Sequence, residues 1–82
     1  MDTIGKRLQT ARDRRVWTQE DLAREAGVPV VTISRIENDR YGERPRQSTI
    51  HKLAGALKVD PAWLVFGGDS EVIEGERGKF AA

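Results

Sequence analysis

The stretch 29–38, Pro-Val-Val-Thr-Ile-Ser-Arg-Ile-Glu-Asn, holds the side chains best suited to recognition. Ile33 and Ile36 stand three apart and so share one face of a helix. With that face turned inward, Val30, Val31, Thr32, Ser34 and Arg35 remain outside. The outward set has one forked donor, two hydroxyls and two aliphatic surfaces. It can read donors, acceptors and methyl groups on another molecule. Groups that would activate a hydroxyl or do other covalent chemistry are scarce in the chain. The chain has no cysteine, which excludes disulfides, thiol chemistry and cysteine-ligated zinc. One histidine, His51, is too few for a protein-built metal cage, and no glycine-rich phosphate cradle is present. An enzyme is therefore not expected, and neither a metal nor another cofactor is implied. His51 is assigned no role.

The elements that position this set are short helices. Apolar residues Ile4, Leu8 and Ala11 give the first segment, Ile4 to Arg15, a helical period, with Thr3 as N-cap. Thr18 followed by Asp21 is a short capping box, and Trp17 with Leu22 has the spacing of a hydrophobic staple. The second helix is predicted over Gln19 to Ala26, closed by Gly27 in a left-handed conformation. The third starts near Pro29, read as its first helical residue, and runs to about Asn38. A polar loop from Asp39 to Arg46 leads to a fourth helix, about Gln47 to Lys58, with Ile50, Leu53, Ala54 and Leu57 on one stripe. Asp60-Pro61 opens a fifth, Pro61 to Phe66, ended by Gly67-Gly68. The expected architecture is all-α and compact, one domain over residues 1–68 with a tail over 69–82.

The second and third helices are joined by a tight turn. They can cross steeply only if their contact is small, and Ala23 and Gly27 supply the small contact and the turn. Leu22, Ala26, Val28, Ile33 and Ile36 supply the shared apolar interior. Four stretches then stand in order: Thr18-Gln19-Glu20-Asp21-Leu22-Ala23, Ala26-Gly27-Val28, Thr32-Ile33-Ser34-Arg35-Ile36-Glu37-Asn38 and Leu53-Ala54-Gly55-Ala56-Leu57-Lys58-Val59. On these residues the chain resembles the Xre/Cro-type, phage-repressor-like helix-turn-helix regulators, from about Ile4 to Gly67. The resemblance implies a five-helix, lambda-repressor-like DNA-binding domain with the helix-turn-helix at helices two and three.

The same resemblance implies roles. The third helix becomes the recognition helix in the major groove of double-stranded DNA. Val30, Val31, Thr32, Ser34 and Arg35 become base-contacting residues, with Arg35 forking onto a guanine edge and the valines touching thymine methyls or the sugar edge. Thr18, Gln19, Asn38, Arg40, Arg44 and Arg46 become backbone-contacting residues. Arg12 and Glu37 become a structural ion pair between helix one and the end of helix three. Trp63 and Leu64 are read as core, and Val65 and Phe66 as a homodimer interface suited to a palindromic operator. Three positions depart from the family: Pro29 where a hydroxyl often caps the recognition helix, Asp39 where glycine is frequent, and Gln47 where an apolar residue is common.

Charge adds a modest hint. The net charge of +1 hides an uneven distribution. Residues 1–68 carry twelve Lys/Arg against nine Asp/Glu, and residues 69–82 carry two against four. The basic excess sits on the helical part, which permits nucleic-acid binding without demanding it. No apolar run approaches the length of a membrane span, and the N-terminus lacks the pattern of a signal peptide, so a cytoplasmic, nucleoid-associated protein is expected. The leading expectation is a repressor of transcription acting as a homodimer. The alternative is an antitoxin-like or adaptor protein of the same fold, whose main partner is another protein. In that case the tail, flexible or partner-bound, would engage the partner through Val72, Ile73 and Phe80.

Overall fold

A computed structural model describes residues 3–40 and 44–68. The tail 69–82, with Val72, Ile73 and Phe80, lies outside the described residues. Five helices follow in order: α1 (Ile4–Arg14), α2 (Gln19–Ala26), α3 (Val30–Glu37), α4 (Gln47–Leu57) and α5 (Pro61–Phe66). Three of them start on a side-chain cap. The Thr3 hydroxyl accepts from Lys6 N at 3.1 Å, and the Asp60 carboxylate accepts from Ala62 N at 2.9 Å. Thr18 and Asp21 form a reciprocal box: Thr18 Oγ1 accepts from Asp21 N at 3.0 Å, and Thr18 N donates to Asp21 Oδ2 at 2.9 Å. α3 and α4 begin differently, after extended Pro29 and Arg46, with no side-chain cap on either.

Local geometry explains small departures from the predicted bounds. Pro29 has ψ 141°, so it precedes α3 instead of opening it. Lys58 turns left-handed at φ 60°, which ends α4 one residue early; its own N–H and that of Val59 both close on Ala54 O. Arg15 caps α1 at Arg14. Asn38 closes α3 after Glu37, and its Nδ2 donates to Ser34 O at 2.8 Å and to Ser34 Oγ at 3.2 Å. Asp39 follows at φ 55°, the left-handed site where the resembled family favours glycine.

One core takes a residue from every helix: Leu8, Leu22, Ile33 with Ile36, Leu53 and Leu64 are fully buried. Helix α2 packs on α3 and α4, while α1 packs on α3 and α5. Two arginines seal helix ends. Buried Arg7 donates from Nε to Leu64 O at 2.9 Å and from Nη2 to Val65 O at 2.7 Å, which satisfies carbonyls at the end of α5. Arg15 does the same for α4, donating from Nε to Leu57 O at 3.2 Å. Gly5 lets α1 lie directly on the end of α3. A methyl group there would run into Ile36 O and come within 3.0 Å of Glu37 O.

Candidate nucleic-acid interface

The turn between α2 and α3 is built on Gly27. Its backbone is left-handed at φ 69° and ψ 35°, and its N–H donates to Ala23 O at 2.9 Å, as does that of Val28 at 3.2 Å. Space is not the reason for glycine here, since an added Cβ would meet nothing within 4 Å. The requirement is the dihedral angle alone. Ala23 is half-buried and packs against the core, so the two helices meet over a short side chain.

This crossing sets what α3 shows to solvent. Ile33 and Ile36 are buried, while Val30 and Val31 are 39% and 52% exposed. Arg35 is exposed, and no acidic side chain among the described residues pairs with it. Thr32 is half-buried. Ser34 is half-buried too, and its hydroxyl is turned toward Asn38. The outward face thus carries two aliphatic surfaces and one unpaired guanidinium at its most accessible positions.

The frame behind α3 is polar. Glu37 accepts from Arg12 Nε at 2.8 Å and Arg12 Nη2 at 2.9 Å, a forked pair. Its Oε1 also accepts from Gln19 Nε2 at 3.0 Å. Arg12 Nη1 then reaches Trp17 O at 2.8 Å. The Glu37 side chain is only 5% exposed, so α1, the turn before α2, the start of α2 and the end of α3 are joined through one nearly dry carboxylate. The Glu37 hydrogen bond is the main cause holding the Arg12 pKa above its ordinary value. Gln19 therefore leans on this frame with one N–H and keeps a second to offer.

The other proposed backbone contacts scatter. Thr18 is exposed, but its hydroxyl is committed to the capping box. Asn38 is committed to Ser34. Arg40 is exposed just past α3, and Arg46 is exposed at the entry to α4. Arg44 sits apart: its guanidinium lies 5.0 Å from the ring centroid of Phe66, which is 70% exposed. An arginine read as a phosphate contact and a phenylalanine read as an interface residue thus stack on each other. Val65 is half-buried beside them.

Sequence reasoning passed over the first turn of α4. Gln47 and Ser48 are exposed there and Thr49 is half-exposed, with no acidic residue in the turn and no side chain capping it. Free N–H groups and hydroxyls at a helix N-terminus suit an anion. The only available signal was negative, the lack of a Ser, Thr, Asp or Asn before Gln47.

Comparison with known proteins places this arrangement. The Helix-turn-helix family model matches residues 8–64. The HTH-type transcriptional repressor RghR of Bacillus subtilis (strain 168) is 41% identical over 66 residues, which cover 80% of this chain and 48% of that protein. The chain spans about half the length of the curated relatives it matches. Among solved structures, the P22 c2 repressor in complex with a synthetic operator aligns at TM-score 0.75 and 26% identity, over 83% of this chain and 100% of that one. The SinR/SinI protein complex aligns at TM-score 0.74 and 25% identity, over 96% of this chain and 75% of that one. A helix-turn-helix at α2 and α3, five helices on one core and a family match spanning most of the sequence together make this chain a member of the helix-turn-helix family of DNA-binding transcriptional regulators.

Proposed function

We propose that this chain is a sequence-specific repressor of transcription that inserts α3 into the major groove of double-stranded DNA and acts as a homodimer on a palindromic operator. The observation that carries the reading is the split face of α3: Ile33 and Ile36 lie in the core while Val30, Val31 and Arg35 point out from the same two turns. A bidentate arginine reads guanine, and aliphatic groups read the thymine methyl. Thr32 and Ser34 add hydroxyls at the edge of this set. Gln19, Arg40, Arg46 and the first turn of α4 hold phosphates on either side, and Thr18 and Asn38 contribute through the helix ends that they close. Val65 and Phe66 of one protomer meet those of its partner. The names of RghR and the P22 c2 protein as repressors support the regulatory role.

The test is a binding series on sequences selected from a random DNA pool. Arg35→Ala is expected to weaken the selected site by about 1–3 kcal/mol, roughly 5- to 150-fold, with a much smaller loss on random DNA. Equal loss on both would reduce Arg35 to a phosphate contact. Affinity is also expected to fall steeply between about 50 and 200 mM salt as counterions are released. A flat response would overturn the DNA reading.

A second reading is a module whose principal partner is a protein. Its support is the likeness, over 96% of this chain, to a solved complex of SinR with a second protein, SinI. Retained DNA affinity after loss of a co-purifying partner would favour the first reading.

A further inference from the structure

Helix α1 carries anchors on two different sides. Gly5 lies against the end of α3, where an added methyl would run into Ile36 O. Arg12 forks onto Glu37 at the same end. Gly5 and Arg12 are seven residues apart, close to two full turns, so they share one edge of α1. Arg7 stands two residues after Gly5, about 200° around the axis at 3.6 residues per turn. It turns to α5: Nε donates to Leu64 O at 2.9 Å and Nη2 to Val65 O at 2.7 Å. Leu8 and Ala11 fill the arc between the two edges, and both are buried in the core. α1 is thus wedged between α3 and α5 and holds the end of each.

The anchor on α5 is exacting. Trp63 O already accepts from Gly67 N at 2.7 Å, and Arg7 takes the next two carbonyls of that helix end. Arg7 is 7% exposed, and a guanidinium out of water must keep its hydrogen bonds. α5 has only six residues, less than two turns, so a planar fork on two of its carbonyls bears on its whole length. The same end presents half-buried Val65 and exposed Phe66.

Granted a dimer joined through α5 with α3 in the groove, as proposed above, we infer that Arg7 is a positioning residue for operator spacing. It fixes the direction of α5 relative to α3, and so the separation of the two α3 helices in the dimer. Half-sites one turn apart lie about 34–36 Å and 10–10.5 base pairs from centre to centre. Each added base pair then moves a half-site by about 3.4 Å and turns it by about 34°. Two α3 helices held at one separation reject that change, whereas a pair on loosened α5 helices absorbs it. Arg7 itself touches no DNA. It acts through the interface that α5 presents.

The test uses the full chain and the palindrome recovered from a random DNA pool, with base pairs added to or removed from its centre. A single half-site on a separate duplex reports groove binding alone. The native protein is expected to lose at least about tenfold in affinity when the centre changes by one base pair. Arg7→Met keeps an unbranched side chain but none of the donors. It is expected to reduce that penalty to about threefold or less, with single half-site affinity unchanged within about twofold. Arg7→Lys keeps the charge but cannot fork onto both carbonyls, and should broaden the spacing profile as well. It carries the test if thermal unfolding shows that Arg7→Met does not fold. A spacing profile as sharp as the native one overturns the inference. So does an equal loss at every spacing and on the half-site, which would mark a purely structural role. Either result beside a sharp native profile leaves the operator reading standing. A native protein without any spacing preference sinks that reading, and the role of Arg7 with it.

Discussion

Glu37 accepts three hydrogen bonds from two other elements, and the position of α3 depends on it. A nearly buried carboxylate stripped of its arginine becomes an uncompensated charge. Arg12→Ala is therefore expected to lower stability by about 3–5 kcal/mol, measured by urea unfolding. The double variant with Glu37→Ala should lose clearly less than the sum of the two single changes. A loss below about 1 kcal/mol would mean that the pair behaves as an exposed one. Gln19 shares this carboxylate, so its proposed phosphate contact and the placement of α3 are coupled through a single group.

At the scale of elements, the start of α2 is electrostatic and its end is conformational. The Asp21 carboxyl is held below the usual carboxylate range, first by the Thr18 backbone N–H, then by the side chains of Arg24 and Thr18. A pKa lowered by folding stabilises the fold above the ordinary value, and this contribution is lost as pH falls through the folded value. Unfolding midpoints should accordingly decline on acidification below about pH 4, and Asp21→Asn should flatten part of that decline. Parallel curves for the two proteins would remove the box from the account. The end of α2 calls for a different comparison. Gly27→Ala meets open space but an unfavourable φ, and is expected to cost about 1–2 kcal/mol. Gly5→Ala has an ordinary φ but would drive a methyl into Ile36 O, so α1 must shift from α3. Thermal unfolding should rank Gly5→Ala as the more damaging; the reverse order would mean that the helix contact gives way easily.

At the scale of the whole molecule, the described surface divides by chemistry. The split face of α3 lies on one element. The Arg44–Phe66 stack and half-buried Val65 form a second patch around α5. If the second patch joins two copies, Phe66→Glu should give monomers by sedimentation. It should leave the fold intact, since the ring is mostly outside the core. A dimer that persists would move the interface elsewhere. Monomers would also bind a palindromic site far more weakly, because the second half-site would no longer be reached by an already bound partner.

What the amino-acid sequence determined by itself was local. Thr3, Thr18 and Asp60 cap within three residues, Gly27 turns within one, and the period of Ile33 and Ile36 fixes which side of α3 faces the core. Those signals act through neighbours along the chain, so five helices and outward Val30, Val31 and Arg35 were legible before any packing was known, whereas Thr32 and Ser34, expected outside with them, are half-buried. Tertiary structure decided the destinations of long side chains. Arg7 reaches a carbonyl fifty-seven residues away, Arg15 one forty-two away, and Arg44 lies over Phe66. It also decided that Gly5 matters for contact with the end of α3, where no turn is involved. A flexible arginine or a bare backbone can serve many partners. Which one it meets depends on how helices cross, and that is settled only when the shared core closes.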